Sequence, residues 1–140
     1  MKNYKNFILL FLLSFMAHFA NADVVVIVSS KTPVSSLTKD QASDIFLGKV
    51  ATFPDGSQAV TIEQPDGTAI HDEFHSKVTG KNSAQLKSHW SRVVFTGKGS
   101  QPKEVPTSAD VKKLVGANPN MIGYVEKSLV DSSVKVVFSP

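Results

Sequence analysis

Val24-Val25-Val26-Ile27-Val28 is an unbroken β-branched run, the pattern of a strand buried on both faces. A polar connection from Ser29 to Leu37, containing Pro33, follows it. Thr38 with Gln41 then forms a capping box, and Ala42, Ile45 and Phe46 recur at helical spacing until Gly48 ends the helix. Phe53-Pro54-Asp55-Gly56 is a turn, and Ala59 to Glu63 alternates loosely as a short strand. A helix opens at Pro65-Asp66-Gly67-Thr68, carries Ile70, Phe74 and Val78 on one stripe, and stops at Gly80. Asn82 or Ser83 starts the next, with Leu86, Trp90, Val93 and Val94 as its apolar face. After a loop from Thr96 to Pro102, Thr107 or Ser108 caps a helix with Val111, Leu114 and Val115 inward, ending near Asn118-Pro119. Met121 to Val125 and Val134 to Phe138 complete the strands, joined by a short helical or turn segment around Lys127 to Val130. Strands alternating with helices predict an α/β layer architecture with at least partly parallel pairing.

Upstream of this pattern lies a different kind of segment. Lys2 and Lys5 precede an apolar stretch from Phe7 to Met16, and Ala20-Asn21-Ala22 places small residues where a signal peptidase cuts. Ser14 and His18 interrupt the stretch, which is shorter than the ~20 residues a membrane span needs. Residues 1–22 are therefore expected to be a cleaved secretory signal and residues 23–140 one domain, placed in a periplasm. No Cys follows the apolar stretch, which argues against a lipoprotein anchor and against disulfides. Without Lys2 and Lys5 the chain has 13 basic residues against 12 acidic ones, a net charge of +1. With no basic block and no basic–aromatic interleaving, a nucleic-acid partner is not expected.

Composition leaves the Asp66-Gly67-Thr68 turn as the segment richest in chemistry. A turn handing a strand into a helix presents the helix's first N–H groups and its positive dipole end, the geometry of an anion site. Yet the turn carries Asp66, and no Lys or Arg occurs between Val50 and Ser76. A helix end favours an anion by ~0.3–1 kcal/mol when exposed and ~2 kcal/mol when partly buried. Asp66 at ~4 Å would oppose it by roughly 1–4 kcal/mol. A millimolar dissociation constant needs about 4 kcal/mol. The turn alone therefore does not capture an anion tightly, and its plain alternative is that Asp66 or Thr68 acts as an N-cap.

Three segments occur in order: Asp44-Ile45-Phe46-Leu47-Gly48-Lys49, Asp66-Gly67-Thr68 before a helix, and Met121-Ile122-Gly123-Tyr124-Val125-Glu126. In this order and spacing they resemble the substrate-binding proteins of bacterial phosphate ABC transporters. The resemblance covers Val24 to about Phe138 and implies a single lobe of a type 2 periplasmic-binding-protein-like fold. Such a lobe has a mixed sheet of about four to five strands flanked by helices. Transport members of the family are two-lobed, about twice as long, and close on phosphate between the lobes. The family's Arg shortly before a Ser-Gly-Thr is missing from Thr61-Ile62-Glu63-Gln64-Pro65, and Asp66 stands in place of the Ser. Gly67 and Thr68 carry over.

Other candidates are weaker. The Gly97-Lys98-Gly99-Ser100 loop could bring Lys98 toward the Thr68 helix start, although it is not a Walker A loop; its alternative is an ordinary turn after a helix. Ser29 and Ser30 follow the first strand, where α/β sheets tend to present ligand groups at strand carboxyl ends. His71 and His75, at i and i+4, have metal-ligand spacing, with His89 or a carboxylate as a third ligand. The bland expectation for the pair is a solvated face opposite Ile70, Phe74 and Val78. Tyr124 and Trp90 read as core or rim aromatics. No Cys and no Gly-x-Ser-x-Gly elbow marks a nucleophile.

The resulting expectation is an exported, non-catalytic solute-binding-like protein without a cofactor. It would hold a small oxyanion weakly near Gly67, Thr68 and the Gly97–Ser100 loop, with a second lobe supplied by a partner chain or self-association. The rival expectation is a ligand-free interaction module that docks onto an envelope sensor, transporter or complex. A metal-dependent enzyme built on His71 and His75 ranks last.

Overall fold

The computed structural model describes residues 23–140, and the expected leader, 1–22, lies outside the described residues. Five strands form one sheet: β1 (Val24–Ser29), β2 (Val60–Glu63), β3 (Lys103–Glu104), β4 (Met121–Glu126) and β5 (Val134–Phe138). Their order across the sheet is β3-β2-β4-β1-β5. β2 runs parallel to β3 and β4, whereas β1 is antiparallel to both of its neighbours, β4 and β5. The expected mixed sheet flanked by helices is therefore present.

The β-branched run reads as it does because β1 is an interior strand covered on both faces. Val24, Val26 and Val28 point into one apolar cluster, while Val25 and Ile27 point into another. The first cluster is closed by α1 (Lys39–Phe46) and α2 (Ala69–Phe74), which bring Ala42, Ile45, Phe46, Ile70 and Phe74. The second is closed by α4 (Ser108–Ala117) through Val111 and Val115, with Ile62 of β2. Helix, sheet and helix thus form three layers, as burying both faces of a sheet requires.

Local signals set the helix boundaries. Thr38 and Gln41 make the reciprocal capping box of α1, and Asn82 and Gln85 make another for α3 (Ser83–Phe95). Thr107 caps α4. α2 does not end at Phe74 but widens into one π-helical turn, His75–Thr79, closed by Gly80 in the left-handed region at φ +68°. α3 lies at the periphery: Leu86 is buried, Trp90 and Val93 are half-buried, and Val94 and Phe95 are exposed. The apolar face expected along α3 is thus covered only at its N-terminal end. Among the described residues no helix is long and apolar enough to cross a membrane.

Candidate functional site

β2 ends in Glu63, and Gln64-Pro65-Asp66-Gly67 turns the chain into α2 with Gly67 at φ +82°. Glu63 points inward. Its Oε1 lies 2.8 Å from His75 Nε2, and its Oε2 accepts from the Tyr124 hydroxyl at 2.5 Å and from the Gln64 N–H at 3.2 Å. On the other ring edge His75 Nδ1 lies 2.9 Å from the Thr79 hydroxyl, which donates its own proton to the His75 carbonyl at 3.1 Å. The Thr79 contact orients the His75 ring and aims Nε2 at the carboxylate. The Gln64 side-chain N–H groups reach the Tyr124 carbonyl at 2.9 Å and the Ser108 hydroxyl at 3.0 Å, tying β2 to β4 and α4. Among the described residues no buried side-chain polar atom lacks a partner.

Tyr124 is fully buried. Burial pushes its hydroxyl pKa far above the usual value, and the neighbouring Glu63 charge pushes it further the same way. Phe74 stacks on its ring at 3.9 Å and 6°, with Phe46 edge-on to Phe74 at 4.6 Å. This aromatic trio fixes α1 and α2 against β4 and thereby locates His75.

His71 and His75 lie side by side, ring centroids 4.6 Å apart, and both are buried. This corrects the expected solvated face. The helix turns about 100° per residue, so the pair flanks the Ile70–Phe74–Val78 stripe rather than opposing it, and the end of β2 covers that flank. His71 Nδ1 lies 3.0 Å from Asp72 and 3.8 Å from Asp66. His89 does not join them: its Nε2 reaches the Leu47 carbonyl at 2.7 Å.

Asp66 is exposed and accepts from the Ser83 hydroxyl at 2.5 Å, latching the turn to the start of α3. That bond, aided by the nearby His71, holds its carboxyl below the usual range. Thr68 occupies the N-cap position of α2, but its hydroxyl donates to the Pro65 carbonyl at 2.7 Å instead of being used as a cap. Neither side chain is the plain N-cap that was the alternative for this turn.

Two expected neighbours of the turn are elsewhere. β1 is antiparallel to β4, which places Ser29 and Ser30 at the end of the sheet opposite Glu63. The carboxyl-end argument fails for an antiparallel strand. Ser29 is buried there and donates to the Gly116 carbonyl. Gly97 and Lys98 bond back to Val94 and Val93 at the end of α3. Asp66 contacts its start, and thirteen residues rise roughly 20 Å. Gly99 and Ser100 are exposed, and Lys98 is not brought to Asp66.

What the fold does assemble is a groove of about 290 Å³ between the end of β2, α2 and α3, lined by Glu63, Asp66, His71, His75, Lys87 and Trp90 among others. Residues from Asn82 to Leu86 extend it past the two histidines. Glu63, Gln64, Ser108 and the polar role of Tyr124 were not legible as site residues. The spacing of His71 and His75 was the one local signal.

No protein-family model matches the chain. Among solved structures it is similar to a phosphate ABC transporter substrate-binding protein with bound phosphate from Clostridium perfringens, at TM-score 0.66 and 27% identity. It shares its fold with an ABC-type phosphate transport receptor from Vibrio cholerae (TM-score 0.64, 19% identity) and with PstS from Borrelia burgdorferi (0.60, 12%). Each match covers 82% of this chain but 44%, 45% and 46% of the other, so the chain spans less than half the length of these structures. In its mixed sheet and its ordered motifs, the chain resembles a single lobe of the phosphate ABC transporter substrate-binding proteins.

Proposed function

We propose that residues 23–140 form an exported, non-catalytic solute-binding-like domain that takes a small oxyanion weakly at the groove beside Gly67 and Thr68. The observation that carries this reading is the likeness to a phosphate-bound protein at 27% identity. The groove's charge supports weak binding over tight binding. Glu63, Asp66 and Glu104 line it against one lysine, Lys87, and Asp66 opposes an anion by roughly 1–4 kcal/mol at ~4 Å. A facing surface from a partner chain or a second copy would supply the charge this lobe lacks. Calorimetry and thermal melts with phosphate, sulfate and small carboxylates test the reading. Millimolar binding of at least one is expected; no heat and no stabilisation at about 10 mM ligand would refute solute binding by this chain.

A second reading is a docking module for an envelope protein, and the end of α3 favours it. Phe95 is 92% exposed and Val94 50% exposed on neighbouring positions. A partner that covered this helix end would remove both side chains from water.

A further inference from the structure

We propose that Glu63, His71 and His75 form a site for one divalent transition-metal cation, zinc above all. One donor atom from each residue lies within 4.8 Å of the other two, and all three side chains are buried. Two imidazoles and a carboxylate are a donor set that suits zinc, nickel or copper over magnesium or calcium, which favour all-oxygen shells.

The surroundings prepare the donors. His75 Nδ1 is engaged by Thr79, whose hydroxyl is fixed by the His75 carbonyl, so the ring presents Nε2. His71 Nδ1 is engaged by Asp72 at 3.0 Å, which leaves Nε2 of that ring to ligate. Glu63 is held through Oε2 by Tyr124 and Gln64, leaving Oε1 toward His75. Each ligand thus has an outer partner that sets its tautomer or rotamer, the arrangement metal sites use. The π-helical turn at His75–Thr79 supplies the Thr79 contact, and such turns recur at functional sites.

Size fits as well. Tetrahedral zinc with ligand bonds of ~2.0–2.1 Å needs donors about 3.3 Å apart. The Glu63–His75 pair at 2.8 Å would open by about half an ångström, and His71 would close in. The cation takes the place between Glu63 Oε1 and His75 Nε2. Both cavities reach His71 and His75, giving an entry path and leaving the fourth coordination position toward the groove. Lys87 at the groove wall and Lys81 beyond it sit outside the donor set.

The test uses the full untagged chain, stripped with EDTA and titrated with zinc chloride in phosphate-free buffer, so that its outcome is independent of solute binding. One equivalent of zinc is expected, with a raised thermal midpoint. Glu63→Gln keeps the shape of the side chain and should weaken zinc about a hundredfold. His89→Gln, which removes an imidazole that faces the Leu47 carbonyl instead of the cluster, should leave zinc affinity within about twofold, since no ligand or its outer partner is changed. If circular dichroism shows Glu63→Gln unfolded, His71→Gln takes its place with the same expected loss. Absence of stoichiometric zinc in the native chain overturns the proposal. So does full zinc affinity in a folded Glu63→Gln or His71→Gln protein, or a loss in His89→Gln matching theirs.

Discussion

The Tyr124 hydroxyl donates to Glu63 Oε2 at 2.5 Å, joining residues 61 positions apart on adjacent strands. The folded state keeps this phenol neutral, since burial and the Glu63 charge raise its pKa above the ordinary value of 10.0. The unfolded chain ionises near that value. Stability from this group is therefore fully present below pH 10 and falls as pH rises above it, by about 1.4 kcal/mol per pH unit. Tyr124 is the one tyrosine after residue 22, so phenolate absorbance of the domain reports it directly. Ionisation should appear only together with alkaline unfolding. Tyr124→Phe should be less stable at pH 8 by about 1–3 kcal/mol but lose stability less steeply above pH 10. Free titration of Tyr124 in the folded protein would contradict the account.

β4 and α4 approach closely at Gly123. A Cβ there would lie 2.4 Å from Val111 Cγ1 and 3.3 Å from Val115 Cγ2. Gly123→Ala should cost about 1–3 kcal/mol by overpacking, read as a lower urea midpoint. Combining it with Val111→Ala should recover part of the loss, because the clash is with that side chain.

Asp66 opposes an anion at the turn while holding Ser83. Asp66→Ser restores the residue of the resembled family and removes one negative charge. Phosphate affinity should rise about fivefold or more, corresponding to at least ~1 kcal/mol of relieved repulsion. Calorimetry in low salt gives the readout; unchanged affinity would show that phosphate, if held, sits away from the turn.

Phe95 protrudes from the last turn of α3. Phe95→Ser should leave stability within about 0.5 kcal/mol, as expected for a surface position. Capture of an envelope partner by the native protein, lost in Phe95→Ser, would establish the docking reading. Equal capture by both would rule that surface out.

The sequence shows what is local. A five-residue β-branched run identified a strand buried on both faces, Thr38 and Gln41 marked the start of α1, and Gly80 marked the end of the second helix. β3 leaves no mark in the sequence because its two exposed residues have no apolar pattern; backbone pairing to β2 defines it. The stripe on α3 was visible, but periodicity does not say whether anything covers it, and beyond Leu86 little does. Within the site, the His71–His75 spacing was readable. Their burial was not, since it depends on Glu63 and Tyr124, which approach only when β2 and β4 pair.

β1 sits between β4 and β5, with Val24 opposite Glu126 and Val26 opposite Phe138. During synthesis the most apolar segment of the domain is therefore made first and finds both of its neighbours last. Until residues 121–138 emerge it has exposed edges on both sides, a state prone to wrong pairing. Folding of this domain waits for residues 121–138, and such long-range closure is slow. A nascent chain cut short before β4 should remain sensitive to protease and depend on a chaperone to stay in solution.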